Sequence, residues 1–206
     1  RYRLLETVAA YASERLHVAG EEEPVRYRHA VACTELAELA AARLRGPDQR
    51  ESLNRLDAET ANMRAALDTA VARPDPALAL RLVGALTWYW FLRGRQRTAA
   101  RSLTAALGIA GATPSVARAD ARAALAAVTI RERGVSDPAA RSRAALAEYD
   151  GLDAPGALAR ARWLHAYVMS GIGALDECEP LAAAALATFR ELGDTWGTAA
   201  ALRETG

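Results

Sequence analysis

The chain has 206 residues, of which 26 are basic and 25 acidic, and its formal net charge at pH 7 is +1. Every basic residue is arginine, which excludes sites that require a lysine of this chain, such as a Walker A loop or a Schiff-base lysine. Half of the residues are hydrophobic (51%), about a quarter are alanine and β-branched residues are sparse, so the composition favours an all-α fold with a sizeable core.

Three helices are predicted before residue 76. The first covers about residues 2–18 and carries an apolar stripe. The second covers about residues 24–44 and is ended by "RGPDQ". The third covers about residues 48–72 and is ended by "RPDP", because a residue that precedes proline is disfavoured in the helical conformation.

A repeat with a period of about 40 residues then appears, in the range of helix-pair repeats. The tripeptide Ala-Ala-Leu recurs at nearly equal intervals, beginning at Ala65, Ala105, Ala144 and Ala184. Glycines recur with almost the same interval at predicted turns, namely Gly94, Gly134 and Gly173. One helix pair of this size cannot bury its apolar face alone, so the period predicts a right-handed α-solenoid of stacked hairpins similar to tetratricopeptide repeats.

Several segments also resemble a known family. "YRLLETVAAYASERL", "LDAETANMRAALDTAV" and "ALRLVGALTWYWFLRGR" have the order and spacing found in STAND-type bacterial transcriptional regulators (signal-transduction ATPases with numerous domains) of the AfsR/SARP and LuxR-like kind. The likeness covers about residues 1–107, and the rest resembles generic tetratricopeptide-like repeats. Its most specific parts are "RLLET" and the block with Glu59, Asn62 and Arg64, in which Met63 replaces the usual leucine.

In such regulators an ATPase module and a winged-helix domain precede a helical array. The resemblance implies that residues 1–20 are a linker helix after a winged-helix domain absent from this chain, and that residues 21–75 are a first, atypical helix pair. The tetratricopeptide-like repeats of residues 76–206 are then expected at 76–113, 114–153, 154–193 and, truncated, 194–206.

The function implied is that of a non-catalytic, cytoplasmic sensor module. It would bind a small-molecule or protein effector and regulate its own upstream ATPase and winged-helix domains, and any ATPase activity would belong to those domains. The alternative is a free-standing tetratricopeptide-like scaffold that binds a peptide or protein. We expect neither a membrane nor a nucleic-acid partner, since no apolar stretch reaches a membrane span, the pI is about 8.0 and no nucleic-acid motif is present.

The stretch "ALTWYWFLRGRQRTAAR" holds two of the four tryptophans. Helical spacing places Trp88 and Phe91 on one face and Trp90 and Leu86 on another. Aromatic residues at this spacing are typical of a repeat core. The alternative is that Trp88 or Trp90 lines a concave surface and stacks on a ligand.

Basic charge is concentrated in residues 76–119, which contain no acidic residue. Six arginines lie there, for a net +6, while the remainder holds 20 arginines against 25 acids. The candidate anion- or partner-binding residues are Arg81, Arg93, Arg95, Arg97 and Arg101. Two interpretations stay open: folding brings in neutralising acids such as Glu59 or Asp120, or the arginines form a docking patch.

No catalytic, metal or cofactor site is predicted. His17, His29 and His165 are scattered, and Cys33 and Cys178 belong to no CxxC motif. His29 and Cys33 lie at positions i and i+4 of a predicted apolar stripe, where a packed pair is expected rather than a reactive one.

Overall fold

The computed structural model describes residues 5–130 and 137–205, and all regular structure in these ranges is helical. This confirms the all-α prediction. The helices are α1 (Glu6–Val18), α2 (Glu22–Arg43), α3 (Gln49–Ala58), α4 (Thr60–Ala72), α5 (Pro76–Leu92), α6 (Gln96–Ile109), α7 (Val116–Thr129), α8 (Pro138–Leu146), α9 (Pro155–Ser170), α10 (Leu175–Glu191) and α11 (Thr195–Thr205). A 3₁₀ turn, Ala147–Tyr149, extends α8.

The helices form two layers. In the first layer α2, α5, α7, α9 and α11 each pack against the next. In the second layer α4, α6, α8 and α10 each pack against two consecutive members of the first layer. Each second-layer helix therefore shares its apolar surface with two neighbouring first-layer helices.

The repeated tripeptide lies on helices of one layer. All four copies are on second-layer helices, and the middle alanine of each is buried: Ala66, Ala106, Ala145 and Ala185. A side chain as small as alanine lets paired helices approach closely. Gly94 and Gly173 follow first-layer helices with φ angles of 64° and 79°, a left-handed conformation that glycine adopts without strain. Gly134 lies outside the described residues.

The prediction of one helix over residues 48–72 was wrong. The structure divides this segment into α3 and α4, with Glu59 between them at φ −100° and ψ 5°. At the break the hydroxyl of Thr60 donates to the carbonyl oxygens of Leu56 (3.2 Å) and Asp57 (2.9 Å). Such local side-chain bonds compete with helical backbone bonds, and residues 21–75 contain three helices instead of a pair.

Two hydrophobic cores meet at the first layer. The larger one includes buried residues of α2 to α7, and a second one joins α9, α10 and α11 to the end of α7. Trp88 and Phe91 are partly buried and pack against both cores. Within the described residues no helix has the length and apolar character needed to cross a bilayer.

Candidate functional site

An open cleft of about 980 Å³ lies where α5, α7, α9 and α11 of the first layer converge. Its aromatic walls are Trp88, Phe91, Trp163, Tyr167 and Trp196. We call it the aromatic cleft. Helix α7 contributes only Ala127 and Val128 to the lining of the cleft. Because these side chains are small, the rings of α5 and α9 can contact each other across α7.

The three tryptophans of the cleft contact one another edge to face. Ring centroids are 5.3 Å apart for Trp88 and Trp163, 5.7 Å for Trp88 and Trp196, and 5.0 Å for Trp163 and Trp196. Trp88 also stacks on Phe91 at 5.5 Å with an interplanar angle of 15°. Offset and edge-to-face contacts are the favourable arrangements of aromatic rings, so the walls hold one another in place.

Two indole nitrogens of the cleft lack hydrogen-bond partners. Nε1 of Trp88 and Nε1 of Trp163 are inaccessible to water and find no acceptor among the described residues. A buried unpaired donor costs about 1–3 kcal/mol, only partly offset by a neighbouring π face. Because both donors are buried, they are an unfavourable feature of the packing among the tryptophans and do not face the open space of the cleft.

Arg45 packs against the cleft from the turn after α2. Its guanidinium carbon is 4.9 Å from the ring centroid of Trp196 and 5.7 Å from that of Trp88, within the range of cation–π contacts. Desolvation by the surrounding protein lowers the pKa of Arg45, and the nearby charge of Arg160 acts in the same direction, while Asp194 opposes both. A cation is therefore already held against the aromatic walls.

Two further arginines line the cleft itself, and none of its described lining residues is acidic. Arg203 has its guanidinium carbon 5.6 Å from the Tyr167 centroid and bonds Glu204 at 3.2 Å. Arg97 is exposed and makes no hydrogen bond or ion pair with any described residue. The cleft therefore carries an excess of positive charge, with Arg97 as its free cation within the described structure.

The other arginines predicted to bind an anion or partner have different surroundings. Arg81 binds Glu38 through two bonds of 2.8 Å each, from Nε and Nη2 to the two carboxylate oxygens. Arg101 is exposed one turn beyond Arg97 and does not line the cleft.

Arg93 and Arg95 converge on a single carboxylate. Asp57 accepts from Nη2 of Arg93 at 2.5 Å, from Nη2 of Arg95 at 2.9 Å and from the hydroxyl of Tyr89 at 2.8 Å. Desolvation alone would raise the pKa of Asp57, but these bonds and the two positive charges hold it below its usual value. Folding thus pairs Arg93 and Arg95 with Asp57, whose single charge offsets one of their two charges, and pairs Arg81 with Glu38.

The two tryptophans of α5 have separate environments. Trp88 lines the aromatic cleft, whereas Trp90 is 5% exposed and packs in the larger core near Leu86 and Val83. The expectation that Trp90 faces a ligand is therefore not met, since its ring is enclosed by the core.

A buried serine–histidine pair lies apart from the cleft. Nδ1 of His165 is 2.5 Å from the hydroxyl of Ser142, and Nε2 is 2.9 Å from the carbonyl oxygen of Ala123. A carbonyl can only accept, so Nε2 carries the proton and Nδ1 accepts from Ser142. Burial lowers the pKa of His165, and both side chains are at most 2% exposed, so the pair is an internal contact without substrate access.

The sulfur of Cys33 lies 3.4 Å from Nε2 of His29. Cys33 is 7% exposed and belongs to the larger core, while His29 is exposed rather than part of the buried stripe predicted for it. Among the described residues no group of three or more histidine, cysteine, aspartate or glutamate side chains could hold a metal ion.

No protein-family model matches this chain, and no curated protein or solved structure matches it significantly. The likeness to STAND regulators therefore depends on the sequence segments that carry it. The candidate site in the structure is the aromatic cleft with its charges.

Proposed function

We propose that the chain is a right-handed α-solenoid of tetratricopeptide-like hairpins and acts as the non-catalytic sensor module of a bacterial ATPase-type transcriptional regulator. Its effector, a small molecule or a protein segment, binds the aromatic cleft. The observation that carries this proposal is the cleft itself, where side chains from α5, α7, α9 and α11 meet around a volume suited to a ligand.

The position of the cleft explains how binding could regulate other domains. Trp88 lies on α5 and Trp196 on α11, so an occupant contacts helices that are far apart in the chain at once. Arg45 extends these contacts to the turn after α2. An effector that favours one arrangement of these helices shifts the array toward it by its difference in affinity for the two states.

The coding frame upstream of Arg1 tests the regulator part of the proposal. We expect it to encode GxxxxGK[ST] followed by a winged-helix pattern that runs directly into "YRLLETV". A start codon immediately before this segment would contradict the proposal. It would favour the free-standing scaffold, for which the same cleft would hold a peptide side chain.

A further inference from the structure

The geometry points to a planar, fused-ring aromatic acid as the ligand of the aromatic cleft, with its rings against Trp88 and Trp196 and its carboxylate on Arg97. This inference depends on the proposed binding role of the cleft and adds the chemical class of the ligand. Nothing in the sequence resemblance specifies that class.

The walls specify a flat apolar body. Trp88 and Trp196 are partly exposed and line the cleft, whereas Trp163 is 4% exposed and packs behind them, so a guest lies against the first two rings. Flat aromatic molecules gain most from such surfaces. A volume near 980 Å³ is at the upper end of small-molecule sites, and a fused-ring system uses more of it than a single ring.

The charges at the aromatic cleft favour an anionic ligand. Aromatic cages commonly bind organic cations, but here Arg45 already lies over the rings of Trp88 and Trp196 and would repel a cationic guest. Arg97 lines the cleft without a described partner, and its guanidinium can hold a carboxylate through two parallel bonds. Arg203 adds positive charge, although Glu204 partly neutralises it.

A second cleft, between α1, α2 and α4, lacks this combination. Its lining includes no tryptophan, and its charges are paired: Glu22 binds Arg26 at 2.6 Å, and Glu23 binds Arg73. Its lining holds three acids, Glu22, Glu23 and Asp68, against two arginines, so it has no preference for an anion. The aromatic cleft is the better candidate because it joins aromatic walls to an unpaired arginine.

The test uses 9-anthracenecarboxylate and its neutral analogue 9-anthracenemethanol, titrated calorimetrically into the whole chain at pH 7. We expect the acid to bind at least about tenfold more tightly than the alcohol, because only the acid forms a charged hydrogen-bond pair with Arg97. In Arg97→Gln the acid should lose about that factor while the alcohol keeps its affinity. Arg97 is exposed, so the variant is expected to fold, and circular dichroism checks this.

Arg101→Gln is the matched control, because it removes the same charge from the same helix outside the cleft. It should bind the acid as the unmodified chain does. Trp88→Leu should weaken the acid and the alcohol together. Equal affinity for the two molecules, no binding of either, or an Arg97→Gln variant that keeps its preference for the acid would overturn the inference.

These outcomes are separable from the test of the proposed function. If the acid does not bind but an ATPase is encoded upstream, the inferred ligand class is wrong and the proposed sensor function stands with a different effector. Acid binding without an upstream ATPase would retain the ligand class in a free-standing protein.

Discussion

Trp88 and Trp90 are close neighbours on α5 and lie in different regions of the molecule. Trp90 is 5% exposed in the larger core, whereas Trp88 is partly buried and lines the aromatic cleft. A step from i to i+2 corresponds to about 200° of helical rotation, so neighbouring tryptophans can face opposite surroundings. The role of each aromatic residue therefore depends on the helix face that it occupies and not on the composition of the stretch.

The arginines that follow α5 also differ in their surroundings. Arg93 and Arg95 bind Asp57, yet Arg97 lines the cleft without a described partner. The net charge of +6 over residues 76–119 thus combines arginines that are paired with acids and two arginines without a described partner, Arg97 and Arg101, of which Arg97 lines the cleft. A local excess of charge does not by itself identify a docking patch.

The largest expected effect separates the two tryptophans. Trp90→Ala should lower the free energy of unfolding by about 3–5 kcal/mol, as large core truncations do. Trp88→Ala should lower it less, because part of that ring already contacts solvent in the cleft. Urea denaturation of both variants measures the difference, and an equal loss for the two would remove the distinction between core and cleft.

A second substitution tests how α11 completes the cleft. A Cβ atom on Gly197 would lie 2.6 Å from the Phe189 ring, so Gly197→Ala should cost about 1–3 kcal/mol and loosen Trp196 beside it. Gly84 is the control, since it is exposed within α5 with open space around its Cα. Gly84→Ala should gain up to about 1 kcal/mol from helix propensity. Thermal unfolding that ranks the two in reverse would show that α11 is not docked this way.

The smallest effect concerns the paired arginines. Asp57→Asn should cost about 1–2 kcal/mol, because it weakens bonds to Tyr89, Arg93 and Arg95 at once. Glu38→Gln breaks an exposed pair with Arg81 and should cost less than about 1 kcal/mol. Denaturation in parallel compares them, and a larger loss for Glu38→Gln would contradict the role given to the Asp57 network.

The same network predicts a pH dependence. Folding lowers the pKa of Asp57 below its unfolded value. The stabilisation that the ionised Asp57 gives to the folded state is therefore complete above about pH 4 and is lost as the pH falls through the folded pKa. Asp57→Asn should lack this part of the acid-induced loss. Unfolding free energies of both proteins between pH 6 and pH 2.5 test this, and parallel curves would refute it.

Much of the fold follows from local sequence. Helical composition predicts the all-α class, and the alanines of the repeated tripeptide are buried on equivalent helices. Helical spacing also separates the Trp88 face from the Trp90 face, because that separation is a property of α5 alone. The break at Glu59 could not be predicted in this way, because no proline or glycine marks it.

The site depends on contacts between distant parts of the chain. Trp163 and Trp196 lie on α9 and α11, far along the chain from Trp88, and no local pattern indicates that the three rings meet. Arg45, which precedes Trp88 in the chain, also contacts the rings of Trp88 and Trp196. The partners of the arginines, Asp57 and Glu38, likewise come from other helices, so sequence spacing could suggest acids but not select them.

A crystal structure of the chain soaked with 9-anthracenecarboxylate tests the central claim most directly. We predict density for the fused rings against Trp88 and Trp196, with the carboxylate within hydrogen-bond distance of Arg97. An empty aromatic cleft beside an acid bound elsewhere, for example on Arg93 or Arg95 after displacement of Asp57, would contradict the account.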